Sequence, residues 1–349
     1  MLVAAPMSIT IDDLFANPDH YLFVFDGDDA VFREMDREAY ARSIFLDQRI
    51  QAASGRGAKV PIVPLLQHNH QRGGDAPDIG WIFHVAHCGS TLLARGIDRT
   101  DHSLVLREPA PLRQLAVEAA QTFAGEAANE GWVEGLRLQL AMLGRRYKAD
   151  APVVVKANVP VNFIIPELMA LQPQAKGVLL HFGLEDYLSA ILRSDQHRDW
   201  IDMVTHELAP AIAIEAGSVD GLDTAEKAGA LWLAQIRVYA SALERWPQLR
   251  SLDAEVLFAN PTATIAATAT YFGIAPASEE AITQLSAQYA KVPGAAFDND
   301  ARLARREEGR AAIAPEIARA RVWVEAAIRD RPIPERLANP LIEAGGALL

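Results

Sequence analysis

Residues 81–98 read WIFHVAHCGSTLLARGID, and this stretch decides the fold. The apolar run Trp81 to Val85 gives way to a compact turn with Gly89, Ser90 and Thr91, and an apolar-faced helical period begins at once. A buried strand that enters a helix through such a turn aims several backbone N–H groups and the positive end of a helix dipole at one spot, which favours a phosphate or sulfate there. A plain strand-to-helix turn, with Ser90 or Thr91 as a cap, is the simpler alternative.

From Gly80 onward the same alternation repeats. WIFHV, SLVLREP, VVVKANV and VLLHF are separated by helix-patterned stretches, including a long one through residues 111–147. Short apolar runs between helical periods predict βα units around a parallel sheet. Thr224 to Trp246 reads as an amphipathic helix stopped by Pro247, Ser251 to Leu257 as a strand, and Pro261 to Tyr271 as a helix closed by Gly273. Upstream, Tyr21 to Phe25 (YLFVF) reads as a strand closed by the turn Asp26-Gly27-Asp28-Asp29, and REMDREAYARSIFLDQRI (33–50) as helix-like. A loop-rich boundary falls near 68–78, so residues 1–78 are expected to be an N-terminal extension packed on the core, 79–275 the core and 276–349 a helical C-terminal segment.

Half of the 349 residues are apolar and 22% are charged, a balance that excludes disorder as the main state. No apolar run approaches the ~20 residues needed to cross a bilayer, and the start MLVAAPMSITIDDLF lacks the basic region of a secretory signal, so a cytoplasmic protein without membrane partners is expected. A lone cysteine, Cys88, rules out an internal disulfide framework and a cysteine-based zinc site. The net charge of −12 argues against a nucleic-acid partner but leaves a small anionic ligand open. Nucleoside-triphosphate chemistry is disfavoured: Gly89 is followed directly by Ser90-Thr91 rather than by the Gly-Lys-Ser/Thr of a Walker loop, and the later strands end in Lys156 and His181 rather than in a magnesium-binding Asp.

Several motifs in order resemble the sulfotransferases that use 3'-phosphoadenylyl sulfate (PAPS). AHCGSTLL is similar to their 5'-phosphosulfate loop, and LREPAPL to the acidic segment after the second strand. VVVKANVPVNFIIPELMALQPQAKGVLLHF is similar to the lysine strand, its helix and the strand that leads to the 3'-phosphate site. Ser189 follows His181 at the interval between the family's 3'-phosphate arginine and serine, and EVLFANPTATIAATATYFGI is similar to the Glu-containing strand end and the helix after it. The likeness spans about residues 80–275. It implies a three-layer P-loop-like α/β fold, with a central mostly parallel sheet flanked by helices plus N-terminal and helical C-terminal additions. It departs from the family at His87, where Lys or Arg is usual, and at His181, where Arg is usual; two permanent cations become imidazoles with an ordinary pKa of ~6.5, so a bisphosphate is expected to bind more tightly in acid.

The resemblance implies PAPS as donor, 3',5'-ADP as product, no required metal and a small-molecule acceptor bearing a hydroxyl or amine. His87, Cys88, Gly89, Ser90 and Thr91 would hold the 5'-phosphosulfate. Lys156, a charge at the end of three valines, would stabilise the leaving oxygen, with a lysine snorkelling from a strand end as the alternative. Glu108 would be a general base, or half of a strand-end salt bridge, and Arg107 would pair with that carboxylate or with substrate. His181, Ser189 and Arg193, the last one helical turn beyond Ser189, would meet the 3'-phosphate. KVPGAAFDNDARLARREEG (291–309) would be a mobile loop bringing Arg302, Arg305 or Arg306 to phosphate, or a solvated helix start. A nucleophilic Cys88 and a metal held by His84 and His87 have little support from neighbouring residues. Two other functions stay open: a magnesium-dependent P-loop phosphotransferase, and a sulfotransferase-like binding module without catalysis. Acceptor identity and oligomeric state have no sequence signature here.

Overall fold

The structure is a computed structural model that describes residues 9–73, 78–288 and 298–349. In the N-terminal extension the strands His20–Asp26 (β1), Asp29–Glu34 (β2) and Gly57–Pro61 (β3) form an antiparallel sheet in the order β1-β2-β3. The turn between β1 and β2 places Gly27 at φ +59°, the left-handed backbone that a tight hairpin requires. The helix expected over 33–50 is mostly not one. Residues 33 and 34 complete β2, and the helix covers only Arg37–Arg42, starting where the Asp36 side chain accepts the Ala39 N–H at 2.6 Å. Local helix-forming residues were overridden by cross-strand pairing, since Phe32 faces Ala58 of β3 and is buried.

The core sheet is parallel and five-stranded: Gly80–His84 (β4), Leu104–Arg107 (β5), Val153–Lys156 (β6), Gly177–His181 (β7) and Leu249–Asp253 (β8), in the order β5-β6-β4-β7-β8. Every residue of β5, β6 and β7 is buried, as expected of strands covered by helices on both faces. Helices Ser90–Ile97, Ala110–Thr122, Leu184–Ile191, Thr224–Arg245 and Pro261–Phe272 supply that cover. Gly273 ends the last of these at φ +76°, as its sequence position suggested. The expected strand 251–257 stops at Asp253, whose side chain caps a new helix, Ala254–Ala259.

Chain direction makes a crevice. The connection from β4 runs to β5 on one side, whereas that from β6 crosses β4 to reach β7 on the other. Loops therefore part at the carboxyl ends of β4 and β6, the place where open parallel sheets accept ligands. His84 and Lys156 sit at those two strand ends.

Arg107 shows how the extension is fastened to this sheet. It is 2% exposed, pairs with Asp98 at 3.2 Å, and donates to the carbonyls of Tyr40, Ala41 and Ser43. It pairs with neither Glu108 nor an open cleft, contrary to the sequence expectation, because its side chain is spent on the backbone of the extension. The backbone reinforces the joint: Leu46 N–H donates to the Arg107 carbonyl at 2.7 Å, and the Tyr21 hydroxyl donates to the Leu46 carbonyl at 3.0 Å. Arg107→Met should cost about 2–4 kcal/mol in urea unfolding, because three buried carbonyls lose their donor and Asp98 keeps only Arg37 as a cation. A loss below about 1 kcal/mol would show that the joint does not depend on this residue.

Candidate functional site

The turn after β4 is built from backbone that few side chains tolerate. Ala86 and His87 stand at φ +65° and +52°, and Gly89 at +83°. Successive left-handed residues curl a chain so that its N–H groups face one concavity, and non-glycine residues held this way cluster at binding and catalytic sites. Gly89 is the cap of the Ser90–Ile97 helix, and no side chain caps that helix start. Beside it the Thr91 hydroxyl, on a residue 3% exposed, has no hydrogen-bond partner. A buried hydroxyl without a partner at a helix N-terminus fits an acceptor oxygen from an anion. It does not fit a simple capping role for Thr91.

Lys156 reaches the same crevice from β6. It is 1% exposed, its ammonium donates to Glu108 Oε1, and it lies 5.5 Å from the centre of the Phe45 ring, which the N-terminal extension places there. Strand register explains the meeting: Lys156 is level with Arg107, so Glu108 is the next residue beyond the sheet. Glu108 is also left-handed, at φ +56°, which turns its side chain back toward β6 and β4. Burial raises the Glu108 pKa, but Lys156 and His84 outweigh it and hold the carboxyl well below its usual range. Glu108 is thus an anion held by a cation, both the salt bridge and the cleft carboxylate that the sequence left open.

His87 lies ring against ring with His197, centroids 4.0 Å apart, so the helix Asp195–Glu207 brings a second imidazole to the turn. Cys88 is fully buried, with its thiol 3.8 Å from the Leu180 carbonyl and its pKa pushed up to about 12 by burial, only partly offset by Lys156. A thiol in that state is a poor nucleophile. Ser90 is buried in the first turn of the helix. Among the described residues no group of three or more His, Cys, Asp or Glu side chains converges.

The residues expected at the 3'-phosphate are arranged differently. His181 ends β7 in register with Asp253, is 3% exposed, and has its pKa lowered by burial despite the nearby Asp253 carboxylate. The Ser189 hydroxyl donates to the Glu185 carbonyl within its own helix, and Arg193 is exposed just past that helix end. The start of the Leu184–Ile191 helix is met by the chain's own C-terminal segment: Leu184 N–H donates to the Leu348 carbonyl at 2.8 Å and Gly346 N–H to Asp253 Oδ2 at 2.8 Å. A Cβ on Gly345 would come within 2.6 Å of Asp253, so only glycine allows this approach. The structure therefore brings together His87, Cys88, Gly89, Ser90, Thr91, Lys156 and Glu108; His181 follows Leu180, which pairs with His84 and whose carbonyl faces the Cys88 thiol, while the Ser189 hydroxyl is spent within its own helix and Arg193 is exposed.

His181 makes stability depend on pH. Its folded pKa lies below its unfolded one, so the unfolded chain binds the extra proton; stability is full above ~6.5 and falls as the pH drops toward the folded value. His181→Asn should flatten that fall below roughly pH 6.5 in urea midpoints. An unchanged slope would assign the effect to other groups.

Residues 291–297 of the expected mobile loop lie outside the described residues. The rest of it leads into and lies within the helix Asn299–Ala312, which has no buried residue and most of whose arginines face the protein's own carboxylates. Arg302 pairs with Glu255 at 2.7 Å, Arg306 with Glu255 and Asp186 at 2.6 and 3.2 Å, and Arg310 with Glu185, while Arg305 donates to the Ala301 carbonyl of its own helix. Sequence reasoning missed Phe45 and His197 at the site and weighed His84 only as a metal ligand. Only His84, a polar residue closing an apolar run, carried a signal.

The strand order, the left-handed turn and the helix behind it define an α/β protein of P-loop-like architecture. No family model and no curated protein matches the chain. Among solved structures it is similar to the sulfotransferase domain from the curacin biosynthetic pathway (12% identity, 63% of this chain and 81% of that one, TM-score 0.37). It is also similar to a sulfotransferase from Alicyclobacillus acidocaldarius (14%, 72% and 96%, TM-score 0.35). A sulfotransferase from Mycobacterium tuberculosis H37Rv gives 16% identity over 71% of this chain and 78% of that one, with a TM-score of 0.35. These are distant likenesses of chain path and assign no residue. No helix among the described residues is long and apolar enough to cross a membrane.

Proposed function

We propose that this protein transfers a sulfuryl group from PAPS to a hydroxyl or amine acceptor. One observation carries the reading: a buried ammonium, Lys156, held by Glu108 beside a left-handed turn at the parting of the loops. The ordered sequence motifs around it support the same reading. When bound, PAPS supplies a sulfuryl group whose transfer leaves new negative charge on a 5'-phosphate oxygen.

The chain's own residues have separable tasks. The backbone from Cys88 to Thr91 and the Ser90 and Thr91 hydroxyls bind and orient the anion. Lys156 brings positive charge to where negative charge grows, from a buried position beside the Phe45 ring. Glu108 takes the acceptor's proton. Its lowered pKa makes it a weak base while Lys156 holds it, so its basicity rises only as the ammonium turns toward the donor.

Calorimetry tests this directly. Binding of 3',5'-ADP without magnesium is expected, and tighter binding of ATP with magnesium would replace the reading with phosphoryl transfer. A second reading, a binding module without catalysis, is favoured by the Leu348 carbonyl at Leu184 and by Asp253 beside His181, where a 3'-phosphate is expected. Failure to bind either nucleotide would select it.

A further inference from the structure

The His84 ring touches both halves of the site. Its Nδ1 accepts the Ala86 N–H at 3.1 Å, and its Nε2 lies 3.7 Å from Glu108 Oε1, the oxygen that also receives the Lys156 ammonium. A ring nitrogen that accepts an N–H bond carries no proton, so in the neutral ring the proton is on Nε2 and points at the carboxylate. The fold holds His84 firmly in that pose: the residue is buried, and its carbonyl accepts from the Asn162 amide at 3.0 Å, which itself also donates to Gln235 Oε1 at 2.7 Å.

The Ala86 bond matters because of where it is made. Ala86 has a left-handed backbone, at φ +65°, that residues other than glycine seldom adopt. An acceptor fixed two residues earlier holds the first residue of the turn in place. The other nitrogen faces the Glu108 carboxylate at 3.7 Å.

We propose that His84 is a positioning residue that couples the anion-binding turn to the Glu108–Lys156 pair, its Nδ1 holding the Ala86 amide and its Nε2–H facing Glu108. The inference rests on the proposed sulfuryl transfer only for its consequence on nucleotide affinity; the coupling itself is a property of the free protein.

Two substitutions separate the nitrogens. In His84→Asn the amide oxygen replaces Nδ1 as acceptor and nothing replaces Nε2; in His84→Gln the amide nitrogen replaces Nε2 and the acceptor is lost. Amide exchange at Ala86 should stay slow in H84N and quicken roughly tenfold or more in H84Q. The Glu108 carboxyl titration, followed by carbon NMR, should move up in H84N and stay in place in H84Q. Affinity for 3',5'-ADP should fall roughly tenfold in H84Q and stay within about threefold in H84N.

A residue that merely fills space would shift all readouts alike in both variants, and that result overturns the inference. If the parent does not bind 3',5'-ADP while the exchange and titration pattern holds, the proposed function fails and the coupling stands. Should either variant fail to fold, ring nitrogen NMR of the parent decides: a proton on Nδ1 of His84 overturns the inference, and a proton on Nε2 supports it.

Discussion

Replacing Lys156 with methionine is expected to lower PAPS-dependent sulfuryl transfer by about 100- to 1,000-fold, the usual loss when one preorganised charge is taken from a developing oxyanion. The variant must be read beside a second one. Lys156 is buried and Glu108 mostly so, and removing the ammonium alone leaves a poorly solvated carboxylate, a defect that costs about 3 kcal/mol. Lys156→Met with Glu108→Gln removes both charges and restores most of that stability. Low turnover in the double variant at near-parent unfolding midpoints assigns the loss to the chemistry of the pair, and Glu108→Gln alone measures the share that belongs to the base. Turnover above about a tenth of the parent's would remove Lys156 from its role.

Gly89→Ala should be nearly as damaging by a different route. At φ +83° any side chain is strained, by about 1–2 kcal/mol. The new Cβ would also stand 2.9 Å from the Phe258 ring and 3.1 Å from Leu257. Phe258 has little room to retreat, lying 6.2 Å from the Phe182 ring and beneath the Arg302 guanidinium at 4.2 Å. The turn would therefore open, and 3',5'-ADP binding should weaken at least about tenfold, with the thermal midpoint a few degrees lower. Calorimetry with parent-like affinity would mean that the turn is not the anion site.

Much of this geometry was legible before any coordinates. The apolar runs gave the parallel strands because fully buried strands leave no other composition. VVVK marked Lys156, since a charge at the end of three buried valines has to face something. What escaped notice depends on backbone angles and distant partners. The role of His84 follows from the left-handed turn at Ala86, which no residue type signals. Arg107 looked like a site residue because its partners are carbonyls of residues 40–43, and a carbonyl looks the same in every sequence. The meeting of Leu348 with Leu184 was hidden for that reason also. In residues 33–50 good helix formers misled, because pairing with β1 and, at residue 33, with β3 decides the conformation of residues 33 and 34.

The Asn299–Ala312 helix buries no residue and rests on arginine–carboxylate pairs. Such docking answers to the ionic medium more than to temperature: charge attraction reaches about 8 Å at physiological ionic strength but about 3 Å in molar salt. Concentrated brine would thus peel this one element away while the strands beneath stay intact. The protein would then present a row of bare guanidinium groups at the very moment the solution best screens them.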